Sequence, residues 1–221
     1  MQALQIGDVT IASLIERDGP WRRPEDFFIG YDAGIARAHL ETLDPIVFDA
    51  ASGRMIITYQ TFVVRTPRHL VLIDTCTGED KGYPAPFDFP KQPWLDNFKA
   101  AGLAFEDITH VFCTHLHIDH TGWNTRLVNG RWVPTFPNAK YVFSQIERDY
   151  WDPQTNPALD EEARMIFEDS VHPVIASGQD HLVADGDRLG DNISIQLAPG
   201  HTPGAIAIRL TDGEQEGLFT G

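Results

Sequence analysis

Two cysteines, Cys76 and Cys113, are all that the 221 residues contain. That excludes a disulfide-built scaffold and fits a reducing compartment, with each expected to be a plain buried thiol. No apolar run approaches the roughly 20 residues of a membrane-spanning helix. The opening MQALQIGDVT lacks a basic stretch followed by an apolar one, so no signal peptide and a cytoplasmic protein are expected. Basic residues are scarce: 17 Lys and Arg stand against 32 Asp and Glu, a formal net charge of −15. Such a surface repels polyanions, which argues against nucleic acid as a partner, and nothing points to a membrane. Nucleophile motifs are missing too: there is no G-x-S-x-G, and neither cysteine has a convincing base beside it. Neither an internal repeat nor a low-complexity linker occurs.

What is present is an ordinary globular composition, 42% hydrophobic, enough for a real core. Residues 9–15 and 55–64 are rich in β-branched side chains and are expected to be strands. TPRH (66–69) turns the chain into a further apolar strand, LVLIDT (70–75). DGPWRRPEDFF (18–28), with two prolines, is expected to be a loop. Residues 33–43 carry a short helical pattern. KGYPAPFDFPKQPW (81–94) holds four prolines and several aromatics and is expected to be a shaped loop. A helix is expected over 93–103, strands over 108–115 and 139–144, and a helix over 160–175 that Pro173 ends or kinks. From His181 onward strands and turns alternate. The sum is a sheet-rich, layered α/β domain.

CTHLHIDHTGWN (113–124) places His115, His117, Asp119 and His120 within six positions. Imidazoles this close repel once protonated, so the cluster needs a counter-charge or a metal. Ligands on one helix face sit three or four apart, which His115 and His117 do not. At an extended strand end, residues two apart point the same way, so this pair converges on one ion. Asp119 and His120, past a turn that Thr121 and Gly122 allow, point to a second position. Hard oxygen and borderline nitrogen together suit zinc or a similar divalent ion. The plain alternative is a surface turn with accidental histidines.

THLHIDH after an apolar strand resembles the signature of the metallo-β-lactamase superfamily of hydrolases. VLIDTC (71–76) and APGHTPGAIAI (198–208) resemble two further segments of it, in the same order. The resemblance implies an αβ/βα sandwich over residues 1–221 as a single domain, with metals at one end of two facing sheets. It implies that His115, His117 and His201 hold one ion, that Asp119 and His120 hold a second, and that Asp74 orients ligands from behind. Two zinc ions per complete chain are expected, with iron or manganese as alternatives. The family also uses a bridging aspartate and a last histidine. By resemblance these lie beyond residue 221, so the C-terminal part of the fold is expected to be missing and the segment to be inactive alone.

Among subgroups, RNA-processing members need basic surface, and flavodiiron proteins carry glutamate where His117 stands. The sequence looks closest to lactonases and organophosphate hydrolases, whose substrates are neutral, partly apolar small molecules. Trp123, Phe87 and Trp94 are candidates for an apolar pocket, with core packing the alternative. A metal-bound hydroxide is then expected to attack the lactone or ester carbonyl, with a metal holding the oxyanion and Asp119 hydrogen-bonding the nucleophile. A mononuclear iron persulfide dioxygenase and a glyoxalase II-like thioester hydrolase are the alternatives. A homodimer is compatible with the resemblance.

Overall fold

The computed structural model describes residues 3–43, 45–83 and 90–221. Phe87, expected in the pocket, lies outside the described residues. The chain begins with strands β1 (Leu4–Ile6) and β2 (Val9–Arg22), helices α1 (Pro24–Phe27) and α2 (Ala33–Leu40), and strands β3 (Phe48–Asp49), β4 (Arg54–Arg65) and β5 (Leu70–Ile73). Helix α3 (Trp94–Ala100), β6 (His110–Phe112), α4 (Ile118–Thr121), β7 (Thr125–Val128), β8 (Arg131–Pro134) and β9 (Lys140–Ser144) follow. Then come α5 (Gln145–Trp151), α6 (Glu161–Ser170), α7 (His172–Ala176), β10 (Asp180–Val183), β11 (Arg188–Leu189), β12 (Ile193–Leu197), β13 (Ile206–Asp212) and β14 (Gln215–Phe219).

The larger sheet has the order β1-β2-β4-β5-β6-β9-β10, with β3 on β4; the smaller is β11-β12-β13-β14. Strands β5, β6, β9 and β10 are parallel, and β5 is buried along its whole length. That suits a strand covered on both faces. Alternation divides its side chains. Val71 and Ile73 join Phe112 and Val142 against Ile195, Ile206 and Ile208 of the smaller sheet. Leu70 and Leu72 join Val111, Tyr141 and Phe143 against Trp94 and Phe98 of α3 and Val174 of α7. Helices thus cover one face of the larger sheet and the smaller sheet covers the other, which is the layering that the resemblance implies. The ligand loops sit where the parallel strands end, the usual place for a site in such sheets.

Three elements differ from expectation. The 18–28 loop is instead the end of β2 and helix α1. Beyond Ile11, β2 loses its β1 neighbour and becomes an edge, where proline is tolerated, and its pairing with β4 shifts register around Arg17 and between Pro20 and Arg22. The expected 160–175 helix is two helices broken at Val171, with Pro173 in the first turn of the second. Asp119 and His120 lie on the single turn α4 rather than in a loose turn.

Candidate metal centre

β6 ends at Phe112, short of the expected 108–115 strand; His115 lies in the bend that follows and His117 is extended (φ −72°, ψ 162°), with Leu116 between them turned into the core. His201 comes from the turn joining β12 and β13. Their ring centroids lie 4.7 to 4.8 Å apart, and one nitrogen from each falls within 4.8 Å of the others. His117 Nδ1 is 2.9 Å from His201 Nε2. His115 Nε2 is buried and finds no hydrogen-bond partner among the described residues. His115 Nδ1 lies 3.1 Å from the Thr114 hydroxyl. A proton held there leaves the Nε2 lone pair free, the tautomer a metal needs. Burial, and then the neighbouring rings, push His115 well below the usual histidine range; burial and His201 do the same to His117. A buried polar atom without a partner costs about 1–3 kcal/mol. Three converging imidazoles, one of them with such an atom, fit a divalent ion.

The neighbouring half of the cluster is acidic. His120 Nδ1 is 2.8 Å from Asp74 Oδ2, and its Nε2 is 3.6 Å from Asp119 Oδ2. Burial works against protonation of His120, but Asp74 and Asp119 outweigh it and hold the ring up to about 9. A cation binding Nε2 therefore displaces a proton. Asp74 also accepts from the Thr114 backbone N–H at 2.8 Å. Its own backbone is left-handed (φ 56°), as is that of Cys76 (φ 52°). Such strain in non-glycine residues persists only where surroundings over-determine it. Here the surroundings are tight: Thr75 N–H donates to His120 O, Gly122 N–H to Cys76 O and Trp123 N–H to Thr75 O, at 2.7 to 2.9 Å. A Cβ on Gly122 would lie 2.0 Å from the carbonyl carbon of Thr77, so only glycine permits this contact. Both cysteines are buried free thiols that burial keeps protonated.

Among the described residues, Trp123 and Trp94 pack in the core. They are 3% and 0% exposed, stack at 4.6 Å, and spend their indole N–H groups on Glu16 and the Thr61 hydroxyl. Their burial matches the core alternative, which sequence could not separate from the pocket one, because an aromatic in a shaped loop or beside a ligand motif has the same composition whether it faces core or cavity. Other residues border the open space. A cavity of about 460 Å³ is walled by Tyr59, Asp74, Asp119, His120 and Phe219. A second, of about 230 Å³, is walled by Arg22, Tyr59, His117, Asp119, Glu162 and Ile166. Burial, with Asp119 next in effect, pushes the Tyr59 hydroxyl above its usual value. Sequence reasoning missed Tyr59 and Glu162: neither belongs to a motif, and only the fold brings them to Asp119. Tyr83 packs with Ile118 and Ile166 and donates to Asp169 at 2.7 Å, bracing the ligand turn from outside.

The family model of the metallo-beta-lactamase superfamily matches residues 57–221. The hydroxyacylglutathione hydrolase of a Synechococcus species is 30% identical over 137 residues, 59% of this chain and 40% of that protein. The metallo-beta-lactamase domain-containing protein 1 of Xenopus laevis is 31% identical over 131 residues, 57% of this chain and 48% of that protein. The chain thus spans less than half the length of these curated relatives. Among solved structures, the hydrolase AbOPH of the beta lactamase superfamily superposes with a TM-score of 0.77 at 24% identity, over 99% of this chain and 72% of that one. AidC, a dizinc quorum-quenching lactonase, gives 0.74 at 20% identity, over 99% and 73%. At such identities the likeness shows the fold. The matched model covers three quarters of the chain and includes every histidine and carboxylate of the cluster, so the chain belongs to the metallo-beta-lactamase superfamily.

Proposed function

We propose that the protein is a metal-dependent hydrolase that holds two zinc ions and opens lactones or cleaves related esters. The observation that carries this is the buried, partnerless Nε2 of His115, in a residue that brings one nitrogen within 4.8 Å of one each from His117 and His201. On this reading those three histidines hold one ion and Asp119 and His120 hold a second. Metals held there would supply an activated water near neutral pH and Lewis-acid polarisation of a carbonyl. The chain's own residues do the rest. Asp119, on the wall of both cavities, accepts the hydrogen bond that aims the attacking water. Asp74 fixes the His120 ring so that Nε2 faces inward. Tyr59, which walls both cavities and whose hydroxyl burial holds above its usual value, keeps its proton and donates a hydrogen bond to the substrate while it accepts one from Arg22. The likeness to a dizinc lactonase supports the substrate class.

One observation favours a second reading, a thioester hydrolase: the 30% identity to a hydroxyacylglutathione hydrolase. The test is metal analysis of the full-length protein followed by a panel of lactones, aryl esters, thioesters and phosphotriesters. Two zinc per chain and preference for lactones or esters are expected. A single iron with persulfide dioxygenation overturns the reading, and preference for a glutathione thioester replaces it with the second.

A further inference from the structure

Ser144-Gln-Ile-Glu147 has the pattern of a helix capping box, S-x-x-E, at the start of α5. Half of it forms: the Glu147 backbone N–H donates to the Ser144 hydroxyl at 3.0 Å. The Glu147 carboxylate goes elsewhere. It is 1% exposed, and each oxygen accepts from two donors. Oε1 takes the Leu116 backbone N–H at 3.1 Å and the Trp151 indole N–H at 2.7 Å. Oε2 takes the Thr202 hydroxyl at 2.8 Å and the Gly204 backbone N–H at 2.9 Å.

Each donor lies in a loop that carries a clustered histidine or packs on one. Leu116 is the residue between His115 and His117. The Trp151 ring meets His117 edge to face, with centroids 5.2 Å apart. Thr202 adjoins His201, and Gly204 closes that turn. A Cβ on Gly204 would lie 2.1 Å from the Glu147 nitrogen, so the turn rests directly on the helix start. His201 is 84 residues from His117 in sequence, and the strand pairing alone does not fix the gap between their loops. Beside the bond from the Ile206 N–H to Thr114 O at 2.9 Å, the buried Glu147 carboxylate spans it.

We propose that Glu147 is a positioning residue that holds the two histidine loops at the spacing of a three-histidine metal site. This rests on the metal-site reading above. The substitution Glu147→Gln is nearly isosteric, yet neither orientation of its amide fits. Each oxygen position faces two donors, so the NH2 group always meets N–H or O–H. Outer partners of metal ligands typically carry 10–100-fold in metal affinity.

The experiment is zinc titration against a competing chelator on the full-length protein, with thermal melts of the metal-free form. Wild type, Glu147→Gln, Thr202→Val and Val174→Ala are compared. Val174 is buried under the larger sheet in the helix-covered core and serves as a matched loss of stability. Zinc affinity is expected to fall about 10-fold or more in Glu147→Gln and several-fold in Thr202→Val, and to hold in Val174→Ala. Should Glu147→Gln fail to fold, Thr202→Val alone carries the test, since it removes one hydroxyl from the same carboxylate. Unchanged affinity in Glu147→Gln or, where that variant does not fold, in Thr202→Val overturns the proposal, as does an equal loss in Val174→Ala. Failure of the metal-site reading looks different: wild type itself then binds no zinc, or His115→Ala binds it as tightly as wild type.

Discussion

A few atoms decide the chemistry of this site, and Asp119 shows how. Its side chain is about one-third exposed, walls both cavities, and lies within 4 Å of His120 Nε2. A residue so placed carries little packing, so its loss should be felt in turnover rather than in folding. Asp119→Asn keeps the shape and removes the charge facing the second ion position. On the proposed hydrolase function, turnover of the full-length protein on its best substrate is expected to fall about 100-fold or more, with an unchanged melting profile. Wild-type turnover in the variant would remove Asp119 from the chemistry. The sequence made this residue visible because its spacing from His115, His117 and His120 is local. It hid Tyr59 and Glu162, which reach the same cavity from β4 and α6 and share no spacing with the motif. It left Trp94 and Trp123 open between pocket and core, because a place in an aromatic loop or beside a ligand says nothing about which side a ring faces.

Elements were legible where periodicity and punctuation agreed. LVLI is buried on both faces as a central parallel strand should be, and TPRH forms the turn into it through Thr66 N–H on His69 O. Where the two disagreed, tertiary context won: β2 runs through Gly19 and Pro20 because β4 supplies its pairing partner. The contact between the 74–78 loop and α4 was illegible, since it joins segments some forty residues apart through two glycines. The nearest atoms to a Cβ on Gly122 would all be backbone of Thr77 and Gly78, with no flexible side chain to give way. Gly122→Ala is therefore expected to cost about 3 kcal/mol, at the upper end of overpacking penalties, and to part the loop carrying Asp74 from the turn carrying His120. Gly200→Ala, where a Cβ meets nothing within 4 Å, is the comparison and should be near neutral. Urea melts of both variants measure the difference. Equal midpoints would mean that the close approach is not a constraint on the fold.

At the scale of the whole molecule the excess of acid is unevenly opposed. The formal charge is −15, so mild acid relieves self-repulsion and, by that effect alone, favours the compact state. Buried histidines work the other way. His110 opens β6 at the end of the strand away from the ligands, with its ring edge-on to His69 at 5.0 Å. Burial first, then His69, His181 and Lys140, hold its pKa down to about 4. The unfolded chain takes up this proton near pH 6.5, its ordinary value, while the folded chain resists until about 4. Between those values the unfolded state binds more protons, so stability falls as pH falls, and above 6.5 the contribution is complete. The ring is partly exposed, so solvent screening leaves about 1–2 kcal/mol of the loss. His110→Gln cannot titrate and should flatten the decline by that amount between pH 6.5 and 4.5. Metal-free protein is the right material, because ligand histidines then contribute equally to both proteins and cancel in the difference. Urea melts at half-unit intervals measure it, and parallel profiles for the two proteins would show that His110 is not held neutral in the fold.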